Sequence, residues 1–257
     1  MKFFPVPKWL KKTWRFLQRP DLLFYLLLYF MVLMVVGTIA QKSMGLVPAT
    51  TMFFNSFILW YGILPLPAGA LILSLLFVNL LVHFIAKSQW TLHSFGNNLS
   101  HLSILILLLG GGITLMHKQE GFVILRLNET TQNVYDYNEE NLLRPDLKPV
   151  FTLPFSLTLQ NFKQNYYAGT NIAQKYESDL MINESQHSWP ALIEMNAPLR
   201  YKGYTFYQSS VLTLPNNEAA SVLNVVDNPG WLFPYIATGL LFIGLAFHAG
   251  VRRYERK

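Results

Sequence analysis

The sequence has 257 residues, of which 52% are hydrophobic and 13% are charged, and its net charge is +6. Soluble domains average about 25% charged residues, so the composition favours a membrane protein. Ten of the twenty Lys and Arg residues lie near the two chain ends. A nucleic-acid-binding protein needs its basic residues on a folded polar face, so this placement does not favour nucleic-acid binding. The chain contains no cysteine. This excludes disulfides, thiolate metal sites and thiol redox chemistry within it.

The first segment, residues 1–21, is basic and includes the run PVPKWLKKTWRFLQRP. Because the run mixes Trp, Phe and Leu with five cations, it predicts an amphipathic helix that lies on the inner face of a membrane. A second interpretation is that the charges only determine the topology of the chain.

Residues 22–116 are predicted to contain three membrane-spanning helices with short loops, and residues 229–257 a fourth helix with a basic tail. About 20 uncharged residues are needed to cross roughly 30 Å of hydrocarbon, and only a helix satisfies its own backbone groups there. The uncharged runs are 22–40, 64–86, 99–116 and 231–251. The first run is too long for a signal-peptide core, and we expect it to be retained. The Gly110-Gly111-Gly112 run predicts close helix packing or a local kink.

Basic residues near the helix ends predict the orientation of the chain. Six of them precede the first helix: Lys2, Lys8, Lys11, Lys12, Arg15 and Arg19. Four follow the last helix: Arg252, Arg253, Arg256 and Lys257. Both termini and the 87–97 loop, with Lys87, are therefore expected in the cytoplasm. The 41–60 loop and residues 117–228 are expected outside, and the latter hold eight basic against twelve acidic residues.

Residues 117–228 are predicted to form a mainly β domain between the third and fourth helices. Runs rich in β-branched and aromatic residues predict strands, and they cover 122–135, 155–162, 179–182, 191–195, 204–212 and 221–226. Alternation places Phe155, Leu157 and Leu159 on one face, with Phe162 as a further candidate. A domain of about 110 residues can close one small sandwich or barrel.

The return to the membrane is predicted at Asn228-Pro229-Gly230, a turn-forming run. Trp231 and Tyr235 follow it and are predicted to be aromatic anchors at the outer interface.

Histidine is the remaining good metal ligand, and the chain has six. His187 lies in a polar loop and is interpreted as solvated. No function is assigned to His93, in the short cytoplasmic loop, or to His117, at the outer end of the third helix, where an interfacial histidine is ordinary. The other three, His83, His101 and His248, lie near the cytoplasmic ends of predicted helices. An ionisable group at that depth suggests a function, and neutral imidazole is a common axial ligand of haem iron. The alternative is that each imidazole bonds a neighbouring helix or reaches the headgroups.

Asn79 precedes His83 by one helical turn and lies on the same face, so it could hold the imidazole by a hydrogen bond. No catalytic residue is predicted. The sequence has no nucleophile elbow, no H-E-x-x-H pair and no Gly-rich phosphate loop before a helix.

Eight short stretches, taken in order, share a pattern across nearly the whole chain. They are GTIAQ at 37–41, PLPAG…NLLVH at 65–83, HLSILILLLGG at 101–111, EG at 120–121, LPFSLTLQNFKQNYYAGT at 153–170, YESD at 176–179, MNAPLRYKGYTFYQSS at 195–210 and NPGWLFPY at 228–235. With these stretches the chain resembles the ResB/CcsB family, the smaller membrane subunit of the system II cytochrome c synthase. The run at 195–210 is the most specific.

The resemblance implies a multi-pass protein of the bacterial cytoplasmic (inner) membrane with a periplasmic or extracellular domain. It implies that a CcsA/ResC-like membrane protein is the partner, that haem, expected to be haem b, is carried across the membrane, and that haem is attached to apocytochrome c. A thioredoxin-like thiol reductant is a further expected partner. The matching position assigns the haem axial ligand, and hence the iron contact, to His83, with His101 and His248 as alternatives.

The tryptophan-rich haem-binding loop of the CcsA part has no counterpart here, and the outer domain is more compact than in longer relatives. The chain alone is therefore expected to be a non-catalytic subunit of a haem lyase complex. Two other hypotheses stay open: a scaffold that braces a partner membrane enzyme without binding haem, and a membrane-anchored binding module.

Overall fold

The computed structural model describes residues 8–136, 148–170, 173–185, 187–213 and 219–255. The chain divides into two compact units, Met1–Met116 with Gly230–Lys257, and His117–Pro229. Three basic residues used above to predict the topology, Lys2, Arg256 and Lys257, lie outside the described residues.

The first unit is helical. Its helices are α1 Lys8–Leu17, α2 Pro20–Met44, α3 Leu46–Ala49, α4 Gly69–Lys87, α5 Leu92–His117 and α6 Phe233–Glu255. A π-helix at Thr50–Asn55 and a hairpin of strands β1 Ile58–Tyr61 and β2 Leu64–Pro67 connect α3 to α4. Within the described residues, four helices are long and apolar enough to cross a membrane, namely α2, α4, α5 and α6. The prediction of four apolar helices is confirmed.

The largest differences from the predicted helix starts occur at α4 and α5. Helix α4 begins at Gly69 and not at residue 64, because Pro65 and Pro67 lack an N–H group and lie in β2. Helix α5 begins seven residues earlier than expected, at Leu92. Its start is stabilised by Thr91, whose Oγ1 accepts from Ser94 N at 3.3 Å while its N donates to Ser94 Oγ at 3.2 Å. This reciprocal arrangement matches a capping box.

Helix α6 also starts later, at Phe233, with Pro234 in its first turn, where the missing N–H costs nothing. A hydrogen-bonded turn from Gly230 to Phe233 precedes the helix, since Phe233 N donates to Gly230 O at 3.2 Å. The rings of Trp231 and Tyr235 are in edge contact, 6.1 Å between centroids.

Helices α2 and α4 pack antiparallel. Leu26 of α2 contacts Ile72 and Leu76 of α4 in a buried cluster. Farther along α2, the Tyr29 hydroxyl donates to Pro67 O, just before α4, at 2.8 Å. The start of α4 therefore lies beside the interior of α2 and not beside its end.

Helices α5 and α6 approach closely at glycines. A Cβ atom on Gly96 would lie 2.5 Å from Gly244 O and 2.7 Å from His248 N. A Cβ on Gly110 would collide with Phe233, whereas Gly111 and Gly112 face open space. The predicted packing role of the glycine run therefore holds at Gly110, and small residues let the two backbones meet.

The second unit is a β sandwich. In its described part, two four-stranded antiparallel sheets have the orders β3-β10-β9-β8 and β4-β5-β6-β7. The strands are β3 Gln119–Leu125, β4 Thr130–Val134, β5 Phe151–Tyr166, β6 Ala173–Glu184, β7 His187–Glu194, β8 Leu199–Tyr201, β9 Tyr204–Thr213 and β10 Ala219–Asp227. The mainly β character predicted for this region is confirmed. The run predicted as one strand over 122–135 is two strands in different sheets, with Asn128 at a positive φ of 62° between them.

The sandwich core lies between the sheets and takes side chains from both. Phe155, Leu157 and Leu159 are buried there, as their alternation predicts. Phe162 also packs against the core although it is three residues beyond Leu159. The pairing of β5 with β6 shifts by one residue between Leu159 and Asn161. Because this extra residue in β5 exchanges the two faces of the strand, the side chain of Phe162 points to the core.

A buried polar cluster links the two sheets. Ser178 of β6 donates to Gln208 Oε1 of β9 at 2.7 Å and is 2.8 Å from the hydroxyl of Ser221 on β10. The Gln208 amide donates to Ser221 Oγ at 3.1 Å and to Ser210 O at 3.3 Å. Every member thus has a partner, which a polar group inside an apolar core requires.

The hairpin between β8 and β9 carries an ion pair. Its turn residues Lys202 and Gly203 both have positive φ, 50° and 88°, as a two-residue hairpin turn requires. Lys202 Nζ pairs with the Glu184 carboxylate, to which the Tyr201 hydroxyl also donates at 2.6 Å. The bond from Lys202, which has the larger effect, and the bond from Tyr201 hold the pKa of the Glu184 carboxyl below its ordinary value. Burial, then the bond to Glu184, raises the pKa of Tyr201 to about 12.

We expect Glu184→Gln to reduce the dependence of stability on acidic pH. A carboxyl whose pKa is lower in the folded state stabilises the fold above its unfolded pKa, and this contribution disappears as the pH falls through the folded pKa. Thermal melting of the full chain in detergent, followed by near-ultraviolet circular dichroism from neutral pH to below 4.5, measures the effect. The melting temperature of the wild type should fall more steeply than that of the variant.

Lys202→Met and the double variant are the matched controls. The double variant should lose no more stability at neutral pH than the single variants, because all three lack the same ion pair. Parallel pH curves for the wild type and Glu184→Gln would contradict the assignment.

Candidate functional site

His83 and His101 line the same small cavity of the helical unit. The cavity has a volume of about 70 Å³ and lies between the end of α4 and the start of α5. Its other lining residues are Phe84, Lys87, Ser88, Asn97 and Asn98. Two of the three histidines that the sequence predicts as candidate ligands therefore share one site.

The backbone of α5 determines the tautomer of His101. Its Nδ1 lies 2.8 Å from Asn97 O, one turn earlier. A carbonyl oxygen can only accept, so Nδ1 carries the proton of the neutral ring. The Nε2 lone pair is then free, which is the form of imidazole that binds a metal ion.

The His83 side chain lies exposed on the surface of α4. Within the described part of the chain its imidazole makes no hydrogen bond to another residue. It is therefore accessible to a group that approaches the outer surface of the bundle, and either ring nitrogen is able to act as the ligand.

Asn79 is buried, with 3% of its surface exposed, and its amide nitrogen has partners other than His83. Nδ2 donates to Leu17 O at 2.5 Å and to Arg19 O at 3.4 Å. Asn79 thus holds the link between α1 and α2 against α4. The predicted hydrogen bond from Asn79 to His83 is not among these contacts, and the sequence gives no signal for the longer-range partner.

His248 lies at the crossing of α5 and α6. Its backbone N and Cβ are the atoms that a side chain at Gly96 would meet, at 2.7 and 2.9 Å. The imidazole is half-buried and is not among the residues that line the cavity of His83 and His101. The three predicted histidines thus occupy one end of the unit, but the structure brings only His83 and His101 to one cavity.

Four aromatic rings in edge contact join the helices beside this cavity. Phe84 of α4 contacts Trp90 at 6.1 Å, Trp90 contacts Phe95 of α5 at 6.0 Å, and Phe95 contacts Phe247 of α6 at 5.0 Å between centroids. Such edge-to-face pairs add to the stability provided by apolar burial. The sequence does not predict this chain of rings. A signal for it is the presence of a large aromatic residue, Trp90, in the four-residue connection between α4 and α5.

The charges at this end are mostly positive. Lys87 lines the cavity, and Arg252 and Arg253 lie in the last turn of α6. Asn98 Nδ2 also donates to Gln89 O at 2.8 Å, which fixes the connection between α4 and α5. The site therefore combines two accessible imidazoles, an aromatic wall and cations, which suits a planar apolar ligand with anionic groups.

A separate concavity of about 440 Å³ occurs on the β unit. It is lined by Asn165, Tyr167, Gln174, Lys175, Glu194, Met195 and Asn196. Lys175 Nζ donates to Glu194 Oε1 at 2.8 Å and also pairs with Glu177. Amides and a compensated ion pair suit polar contacts with a peptide and supply no nucleophile with an adjacent base.

Comparison with known proteins gives partial matches to much longer chains. NrfI from Wolinella succinogenes is 34% identical over 98 residues, which cover 37% of this chain and 10% of NrfI. The structure of the cytochrome c haem lyase CcmF is 11% identical with a TM-score of 0.39, covering 86% of this chain and 34% of CcmF. This chain thus matches only a minor part of the length of either protein.

A model of the ResB-like family matches residues 89–220. The match includes His101, all of α5 and the β unit up to the start of β10, while His83 precedes it. Since it spans half of the chain, and since four apolar helices and a β region accompany it, this membrane protein belongs to the ResB-like family.

Proposed function

We propose that this chain is the membrane subunit of a system II cytochrome c haem-attachment complex in the bacterial inner membrane, where it helps move haem across the membrane and deliver it to apocytochrome c. Membership of the ResB-like family supports the role in cytochrome c biogenesis. The observation that carries the haem-binding part is the exposed imidazole of His83 beside the free Nε2 of His101.

His83 is proposed as the axial ligand of the transported haem. It follows Asn79 by one turn of α4, and Asn79 bonds the backbone of Leu17 and Arg19. His83 therefore lies near the level of the charged residues that precede α2, where a ligand is close to the aqueous phase. Exposure of the ring leaves its lone pair accessible from outside the bundle.

The size of the cavity restricts where haem could bind. Sites for drug-sized ligands have volumes of roughly 300–1,000 Å³, whereas the cavity of His83 and His101 has about 70 Å³. A haem ligated by His83 would therefore lie against the exposed face of α4. The remaining contacts would come from a partner, for which a CcsA/ResC-like membrane protein is proposed.

The charge distribution supports the entry of haem at this end. Haem propionates are anionic, and Lys87, Arg252 and Arg253 provide cations close to the membrane surface. The same basic residues favour a cytoplasmic location for this end. Both chain termini are accordingly proposed to be cytoplasmic, and residues 117–228 to lie outside, where apocytochrome c and a thioredoxin-like reductant would be met.

His101 is proposed as the second candidate ligand. Its Nδ1–H bond to Asn97 O orients the ring and leaves the Nε2 lone pair available to a metal ion. His248 is the third candidate, and its place at the α5–α6 crossing gives it a packing role as well.

Replacing His83 by Ala is expected to remove most of the haem from the purified complex while leaving its assembly intact, because an exposed side chain contributes little to packing. Soret absorbance per complex measures the haem, and the yield of mature cytochrome c measures function. Added imidazole should partly restore both by occupying the vacated iron position. His117→Ala, at the opposite end of α5, is the matched control.

Two outcomes would change the assignment. If His83→Ala keeps full haem and full maturation while His101→Ala or His248→Ala loses both, the ligand lies on α5 or α6. If all three single variants are silent, the chain acts as a scaffold that does not bind haem.

The partner is a separate prediction. The chain has no thiol and no tryptophan-rich haem-presenting loop, so it should co-purify with a larger CcsA/ResC-like membrane protein and be inactive alone. Reconstitution of haem attachment in vesicles with this chain, the partner or both measures this dependence. Full synthase activity from the isolated chain would refute the prediction.

A further inference from the structure

The connection between α2 and α4 is as apolar as the helices that it joins. Residues 43–86 contain no Asp, Glu, Lys or Arg, although residues 45–68 precede α4. At the tip of the β1–β2 hairpin, Trp60, Tyr61 and Ile63 are 59%, 78% and 97% exposed. A contiguous exposed apolar surface of this kind marks contact with a membrane or with a protein.

The depth of this connection follows from its contacts along α2. Leu59 and Ala68 pack with Leu33, and Pro67 O accepts from Tyr29. Tyr29 and Leu33 precede Met44, the end of α2, by about 16–22 Å at roughly 1.5 Å per residue. The chain therefore leaves α2 at Met44 and returns along it before α4 begins.

The length of the uncharged part of α2 indicates where Tyr29 and Leu33 lie relative to the two surfaces of the bilayer. Asp21 and Lys42 bracket residues 22–41, a length of about 30 Å that matches the hydrocarbon core. The level of Tyr29 to Leu33 lies well inside that length. Helix α4 thus begins within the hydrocarbon, and residues 45–68 occupy the half of the core on the Met44 side.

The backbone of the connection is adapted to such a location. The α3 and π-helical turns bond internally, and β1 pairs with β2 along all four residues. Proline at 65 and 67 removes the N–H groups that would point away from β1. Pro67 O accepts from Tyr29, and Ala68 N donates to Phe57 O at 3.1 Å. These bonds satisfy backbone groups on the inner side of the connection, where membrane depth would leave them no water to bond.

Two polar side chains of the connection follow the same rule. Thr50 Oγ1 donates to Leu46 O at 2.7 Å and Ser56 Oγ to Met52 O at 2.5 Å, so both hydroxyls are satisfied within their own turns. The inner face of the connection packs on α2 at Gly37, where a Cβ would lie 2.5 Å from Phe54 Cζ. The connection is therefore fixed against α2 by its inner face and presents an apolar outer face.

From these observations we propose that residues 45–68 form a re-entrant segment of the membrane, whose hairpin tip contacts lipid in the leaflet on the Met44 side of α2. Trp60 and Tyr61 suit the boundary between acyl chains and headgroups, because each ring joins an apolar body to a polar edge. The proposal differs from the sequence-based expectation, which places the 41–60 loop outside the membrane. This inference is independent of haem binding.

The absence of cysteine allows a direct test on the full chain. Ile63→Cys and Tyr61→Cys each introduce a single thiol for a nitroxide spin label, in vesicles of equal parts phosphatidylethanolamine and phosphatidylglycerol. Collisions with oxygen, which concentrates in hydrocarbon, are compared with collisions with a water-soluble nickel chelate. Val36→Cys on the exposed face of α2 is the lipid reference, and Ala168→Cys in an exposed turn of the β unit is the water reference.

The label at Ile63 should show an oxygen-to-nickel collision ratio several-fold above that of Ala168 and close to that of Val36. The label at Tyr61, nearer the headgroups, should show a ratio between those of Ala168 and Val36. A ratio like that of Ala168 would overturn the proposal in favour of a solvated loop. Low collision rates with both reagents and an immobilised spectrum would also overturn it, because the tip would then be covered by protein. Retention of helical circular dichroism shows that each variant is folded.

Discussion

The arrangement of the helical unit depends on the absence of water in the hydrocarbon of a membrane. Each backbone N–H and C=O there must find a partner within the chain, and each charge must stay at the boundary. Helices α2, α4, α5 and α6 satisfy the first condition alone, and beside them the Tyr29 hydroxyl supplies a donor to Pro67 O of the hairpin. Asn79 meets it across helices, because its buried amide donates to Leu17 O and Arg19 O.

These conditions also place the candidate site. A histidine is acceptable near the charged boundary, and the bonds of Asn79 put His83 at that level of α4. Gly96 and Gly244 allow α5 and α6 to meet, so the aromatic rings from Phe84 to Phe247 can form one connected wall beside the imidazoles. The accessible lone pairs are thus supported by packed elements.

The long elements could be predicted from the sequence because charge-free runs and alternating polarity act locally. The core face of Phe155, Leu157 and Leu159 is such a case. The prediction was wrong for residues 64–68, where hydropathy outweighed the two prolines, and for residues 92–98, whose polar side chains concealed a helical start capped by Thr91. The prediction also missed strand β8, because its three residues are too few to show an alternating pattern. The shared cavity of His83 and His101 depends on how α4 and α5 pack, and one helix pattern does not contain that information.

The cluster of Ser178, Gln208 and Ser221 affects how the sandwich tolerates sequence change. Its members come from β6, β9 and β10, so the cluster joins the two sheets at one alignment. A shift of any of these strands by one residue would leave an amide or a hydroxyl buried without a partner, at a cost of about 1–3 kcal/mol. An apolar residue at one of the three positions would impose a similar cost on the other two. Among related proteins, the three positions should therefore covary, either all polar or all apolar, while the surrounding aliphatic positions exchange freely.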